Sequence, residues 1–116
     1  MRILIADDNY RLREGIRSML SEANHEVCGE AADTDETVRL ASELRPDLIL
    51  LDISMPGAGG LEAARQIRRV LPNTKILVMS HHDPVHISGP AIEAGAQGCI
   101  DKGRLGPDLL RTIEKI

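Results

Sequence analysis

Five short apolar runs alternate along the chain with stretches whose apolar residues recur at helical spacing. This alternation limits the fold more than any other feature. The runs RILIAD (2–7), EVCGEA (26–31), DLILLD (47–52), KILVMS (75–80) and QGCID (97–101) read as strands. Between them, Leu12, Ile16, Met19 and Leu20 mark the apolar face of one helix, and Val38, Ala41 and Leu44 that of a second. Leu61, Ala64, Ile67 and Leu71 mark a third, and Leu105, Leu109, Ile113 and Ile116 mark the last. Pro46 and Pro72 close the second and third helices. Strands that alternate with helices pair in parallel, because each helix carries the chain back to the start of the next strand. The first, third and fourth runs are the oiliest and belong at the centre of the sheet, buried on both faces.

The fourth helical slot, 84–94, is weaker. Asp83 is a candidate cap with Pro84 in the first turn, but Gly89-Pro90 falls in the middle. A proline there removes a helical donor and crowds the preceding turn, so the sequence predicts a short, split or mobile helix. The chain has 116 residues, enough for one domain with a proper core. Tyr10 is its sole aromatic residue, so the core is built from Leu, Ile, Val, Ala and Met. The same poverty removes the stacking platforms of single-strand nucleic-acid binding, and a net charge of −4 without a basic run argues against binding nucleic acid by charge. The opening MRILIADD is too short and too acidic for a signal peptide, and no stretch is long enough to span a membrane. Cys28 and Cys99 form no CxxC pair, which fits a reducing, cytoplasmic setting.

In a parallel sheet of this kind, sites form at the carboxyl ends of the strands. The first strand ends in Asp7-Asp8, the third in Asp52 and the fourth in Ser80, and the fifth runs into Lys102. Taken singly, Asp8 reads as a helix cap, Ser80 as a turn residue and Lys102 as a solvated lysine. Taken together they do not, because three converging carboxylates repel unless a cation joins them. Mg²⁺ suits such a set: it takes oxygen ligands, keeps several waters and is bound through one or two carboxylates with phosphate oxygens. Lysine and serine nearby then serve as donors to a phosphoryl group.

DD at 7–8, LDISMPGAGG around Asp52, VMS ending at Ser80 and AGAQGCIDK ending at Lys102 resemble, in order and spacing, the receiver domains of bacterial two-component response regulators. The resemblance covers essentially the whole chain. VCGEAAD and LRPDLILLD are most similar to the NarL/FixJ (LuxR-type) group. The resemblance implies an α/β, flavodoxin-like (βα)5 doubly wound sandwich with a five-stranded parallel sheet of order 2-1-3-4-5. Residues 1–116 would be a single receiver domain, with a helix-turn-helix DNA-binding output domain following in the full-length protein. Asp52 would accept a phosphoryl group from a sensor histidine kinase. Mg²⁺, with Mn²⁺ as an alternative, would be held by Asp8 directly, Asp7 mainly through water, Asp52, and the backbone carbonyl of Ser54. Lys102 would pair with Asp52 at rest and with the phosphoryl group afterwards, and Ser80 would swing in to donate to it. Pro56 and Gly57 would shape the loop that presents Ser54. The protein would be a phospho-acceptor regulator rather than an enzyme, with self-catalysed transfer and slow autodephosphorylation. It would form a homodimer on activation, reach DNA only through the output domain, and stay off the membrane. A doubtful fourth helix favours the first and fifth helices as the dimer face.

Three positions depart from the family pattern. Cys99 stands three residues before Lys102, where the family usually has Tyr or Phe, and a thiol cannot act as a rotating ring. His81 follows the switch serine where a small residue is usual, and its ring would narrow access to Asp52. Gly59 replaces a frequent acid, and with Gly57 and Gly60 suggests a flexible loop. A receiver fold that signals without phosphate is the alternative that Cys99, His81 and Gly89-Pro90 keep open. A phosphatase-type hydrolase needs a second acid two residues past the nucleophile, where this chain has Ser54. A flavodoxin-type carrier needs a phosphate-cradling loop and aromatics that Asp7-Asp8 and the composition do not supply. His82 and His86 are spaced for a shared metal, but the Gly-Pro break argues against a rigid site. In the family's strand order Cys28 and Cys99 lie on opposite edges, which excludes an internal disulfide, and an exposed Cys99 would join two molecules.

Overall fold

The computed structural model describes residues 1–81 and 84–116. Five strands and five α-helices alternate: β1 (Arg2–Ala6), α1 (Tyr10–Glu22), β2 (Glu26–Ala31), α2 (Thr34–Leu44), β3 (Leu48–Asp52), α3 (Gly60–Val70), β4 (Lys75–Ser80), α4 (Pro84–Glu93), β5 (Gly98–Asp101) and α5 (Leu105–Lys115). The strands form one sheet of order β2-β1-β3-β4-β5, and every pairing is parallel. The three oiliest strands are the interior ones, as their composition requires.

Alternation within those strands divides the core in two. Ile3, Ile5, Leu48, Leu50, Leu77 and Met79 face α1 and α5, where Ile16, Leu20, Leu105, Leu109 and Ile113 meet them. Leu4, Ala6, Ile49, Leu51, Ile76 and Val78 face α2, α3 and α4, against Ala41, Ala63, Ala64, Ile67, Ala91 and Ala94. A fully buried leucine or isoleucine contributes about 2 kcal/mol by leaving water, so these layers carry most of the driving force. The helix faces read from spacing are the buried ones: Ile16, Leu20, Ala41, Ala64, Ile67, Leu71, Leu105, Leu109 and Ile113 are all buried.

Local chemistry fixes where helices start and stop. Asn9, not Asp8, caps α1 by accepting from Leu12 N, and Asp33 caps α2 by accepting from Glu36 N. Arg45 ends α2 in the left-handed region (φ 47), a role glycine usually takes, and Pro46 follows. Helix α4 runs unbroken through Gly89-Pro90; at 10 residues it is the shortest of the described α-helices, so of the short, split or mobile helix the sequence predicts it is short and not split. Pro90 lies on the exposed face, its carbonyl accepts from Ala94 N, and Ala91 and Ala94 anchor the opposite face in the core. With α4 continuous, the reason for preferring the first and fifth helices as a dimer face is gone. The proposed cap Asp83, and with it His82 of the His82–His86 pair, lie outside the described residues.

A parallel register brings the strand ends level. Asp52 pairs with Met79, and Ser80 pairs with Asp101. Lys102 then begins a single 3-10 turn, Lys102–Arg104, that the sequence reading did not foresee. Among the described residues, no helix is long and apolar enough to cross a membrane.

Candidate functional site

The carboxyl end of the sheet collects the charged residues. Asp7 leaves β1 with its amide bonded to Ala31 O at 2.9 Å, and its side chain is completely buried. Asp52 ends β3 and is 2% exposed. Asp8 is exposed. One carboxylate oxygen from each of the three lies within 4.8 Å of the others. Lys102 reaches in from the 3-10 turn, its side chain only 5% exposed, and its Nζ lies 2.7 Å from Asp7 Oδ2 and 3.0 Å from Asp52 Oδ1. Ser80 is buried at the end of β4, beside Asp101 in the register. The structure therefore brings Asp7, Asp8, Asp52 and Lys102 together, and ends the adjacent strand in Ser80.

The loop after each strand braces its own carboxylate. Asn9 N donates to Asp7 Oδ1 at 2.8 Å and Ser54 N donates to Asp52 Oδ1 at 3.0 Å. Asp52 thus has a local partner, which the sequence did not reveal. Arg13 from α1 donates through Nη1 to the Asp7 carbonyl and through Nε to Glu30 Oε1 at 3.0 Å, tying the acidic turn to β2. The loop glycines serve shape rather than looseness. Gly57 and Gly59 have φ of 98° and 89°, and a Cβ on Gly60 would lie 2.2 Å from the Asp52 carbonyl oxygen.

The electrostatics are unbalanced. Among the described residues, three carboxylates face one ammonium. Burial, the largest influence, pushes the Asp52 carboxyl above the ordinary carboxylate value; Ser54 N–H and Lys102 pull it down, and Asp7 pushes it further up. Burial likewise pulls the Lys102 ammonium down, but the hydrogen-bonding and charge of Asp7 and Asp52 outweigh it and leave Lys102 above the usual lysine value. Among the described residues, buried Asp7 Oδ2 is met by the Lys102 ammonium alone, at 2.7 Å. An all-oxygen donor set with excess negative charge and an under-satisfied buried oxygen fits a hard divalent cation.

The family model of the response regulator receiver domain matches residues 3–114. The chain belongs to this family. Receiver domains are phospho-acceptor switches, and this one has relatives that name its kind more closely. It is 38% identical over 114 residues to the uncharacterized transcriptional regulatory protein YxjL of Bacillus subtilis, covering 97% of this chain and 52% of the relative. It is 44% identical over 97 residues to the transcriptional regulatory protein LiaR of the same organism, covering 83% of this chain and 46% of LiaR. The chain therefore spans only about half the length of these two regulators. The crystal structure of a LuxR-family two-component response regulator from Aurantimonas superposes with a TM-score of 0.93 at 36% identity, over 98% of this chain and 82% of that one. The receiver domain of the response regulator NarL from Mycobacterium tuberculosis gives 0.90 at 33% identity, over 98% and 93%. The likeness to the NarL and LuxR-type group read from the sequence is thereby established.

The departures are now located. Cys99 is half-buried in β5, opposite Val78, and packs on the layer beneath α4. His81 is exposed just past the end of β4. Cys28 and Cys99 are free and lie on the two edge strands. Thr34 escaped the sequence reading, its signal being only a β-branched residue opening a helix; Gly60 was read as part of a flexible loop and not as a close approach to Asp52.

Proposed function

We propose that this receiver domain is switched by transfer of a phosphoryl group from a sensor histidine kinase to Asp52. One observation carries the reading: a buried carboxylate at a strand end, within reach of two further acids and neutralised only in part by a buried lysine. Asp7, Asp8, Asp52 and the Ser54 carbonyl would hold Mg²⁺ or Mn²⁺, which would supply positive charge to offset that of the incoming phosphoryl oxygens.

The chain's own residues do the rest. The Asp52 carboxylate attacks phosphorus, the bond to the donor imidazole breaks, and the imidazole takes up a proton. Burial has already stripped most water from Asp52, so it attacks without shedding a hydration shell. Lys102 moves its charge from Asp52 to the new phosphoryl oxygens, and the Ser80 hydroxyl donates to them. Pro56 and Gly57 set the loop that carries Ser54. The change at Ser80 passes to α4 and β5, the switch surface. Hydrolysis of the acyl phosphate, slow in the absence of a partner, resets the domain. The output is transcription through a DNA-binding domain outside this segment, with a homodimer as the active form. The names of YxjL and LiaR support that output.

The test is intact-mass analysis after incubation with acetyl phosphate or phosphoramidate and Mg²⁺, with Asp52→Ala alongside. One phosphoryl adduct that requires both Asp52 and the metal supports the reading. No adduct from small donors or from a histidine kinase would leave a receiver fold that signals without phosphate.

A further inference from the structure

The loop from Asp52 to α3 is pinned at its start by Ile53 N on Met79 O at 3.0 Å and by Gly60 N on Ile53 O at 3.1 Å. Its middle is pinned differently. Among the described residues, every hydrogen bond that ties Pro56–Gly59 to the fold outside α3 goes to Thr34, the first residue of α2. Thr34 N donates to Pro56 O at 3.1 Å, and Gly59 N donates to Thr34 Oγ1 at 3.0 Å. The hydroxyl proton has two acceptors, Pro56 O and Gly59 O, each at 3.3 Å. Thr34 is 1% exposed, so no water replaces these bonds. Its amide is one of the donors that a helix start leaves free, so the tie costs α2 nothing. A Cβ on Gly57 would lie 3.2 Å from Thr34 Cβ and Oγ1, which shows how closely the loop is seated on this side chain.

We propose that Thr34 is a positioning residue for the phospho-acceptor site: its hydroxyl fixes the loop whose Ser54 amide holds Asp52 and whose Ser54 carbonyl meets the metal. The inference rests on the phospho-acceptor reading above. Removing the hydroxyl leaves Gly59 N–H without its acceptor and frees the loop middle, so the metal pays to order it.

Thr34→Val keeps the branched volume and deletes the hydroxyl; Thr34→Ser keeps the hydroxyl. Titration with Mg²⁺, followed by the amide NMR shifts of Asp8 and Ser54, is expected to give about tenfold weaker binding for Thr34→Val, the usual scale for losing a group that supports a metal ligand. Thr34→Ser is expected to match the wild type. Phosphorylation of Thr34→Val by phosphoramidate should be slow at low Mg²⁺ and recover at saturating Mg²⁺, with the circular dichroism of the variant the same at both, which a merely destabilised fold does not give. In the wild type, exchange of Gly59 N–H should slow when Mg²⁺ binds. Wild-type affinity in Thr34→Val overturns the proposal, as does Gly59 exchange indifferent to Mg²⁺ should Thr34→Val fail to fold. A wild type that neither binds Mg²⁺ nor takes a phosphoryl group overturns the phospho-acceptor reading itself, and this inference with it.

Discussion

Lys102 lies closer to Asp7 than to Asp52, at 2.7 Å against 3.0 Å, so one buried ammonium bridges the ends of β1 and β3. Replacing it by methionine keeps most of the volume and leaves two buried carboxylates facing each other. Breaking a buried pair from one side costs about 3–5 kcal/mol, mostly the stranded charge. Lys102→Met is therefore expected to lower the urea midpoint strongly in EDTA. It should also gain more from Mg²⁺ than the wild type does, because the cation replaces the missing positive charge. Equal Mg²⁺ effects on both proteins would show that the carboxylates do not share a metal.

Asp52 gives a signed pH dependence. Its folded carboxyl titrates above the ordinary value, chiefly through burial. The native state thus holds the proton more readily than the unfolded chain. Stability is greatest below the ordinary carboxylate value, falls as pH rises through the raised value, and stays lower above it. Asp52→Asn removes this loss and leaves Lys102 matched by Asp7 alone. Its Tm in EDTA should exceed that of the wild type by a few degrees at pH 7, and the gap should narrow as pH falls through the raised value and be closed by about pH 4. A gap that is constant with pH would assign the gain to packing instead of charge.

Why some of this was legible in the sequence and some was not comes down to the range of the interactions. Leu48–Leu51 read as an interior strand because burial on both faces leaves no polar position in the run. Asp7, Asp8, Asp52 and Lys102 read as one cluster because parallel strands must end on the same side. Continuity of α4 was not legible: whether Pro90 breaks a helix depends on which face it occupies, and that is set by Ala91 and Ala94 meeting the sheet. The cap of α1 fell to Asn9 because Asp8 stands one residue too early to reach Leu12 N. Thr34 was hidden for a similar reason, since its partners Pro56 and Gly59 are more than twenty residues away.

His81 bears on access. It is exposed beside the strand end that carries Ser80. If its ring narrows the approach to Asp52, His81→Ala should be phosphorylated faster than the wild type by phosphoramidate, with unchanged Mg²⁺ binding. Equal rates would mean that the imidazole stays in solvent and gates nothing.

Cys99 bears on the switch. Burial, and then the neighbouring Asp101 charge, push its thiol above the ordinary value, so it is neutral at pH 7 and a slow nucleophile. Alkylation by iodoacetamide should be slow, and an intermolecular disulfide through Cys99 is disfavoured for the same reason. The residue packs on the layer under α4 without the large ring that would report a movement of Ser80. Cys99→Tyr should enlarge the phosphorylation-dependent change in amide exchange along α4. No enlargement would place the route from Ser80 to α4 elsewhere.

Gly60 is the sharpest steric constraint in the site. A Cβ there would lie 2.2 Å from the Asp52 carbonyl oxygen and 2.7 Å from Ile53 Cα. Both contacts are backbone, so no side chain can swing aside; either α3 shifts or the end of β3 does. Overpacking of this kind costs about 1–3 kcal/mol, and rigid neighbours put Gly60→Ala at the upper end. Because the displaced atoms belong to Asp52 itself, phosphorylation should fall together with stability. Gly15 is the matched control. It sits in α1 with nothing within 4 Å of its Cβ position. Gly15→Ala should stabilise the fold by about 0.5–1 kcal/mol through the lost backbone entropy of glycine. Urea midpoints that move in opposite directions for the two substitutions would tie the Gly60 effect to its contact with Asp52. Midpoints that move together would deny it.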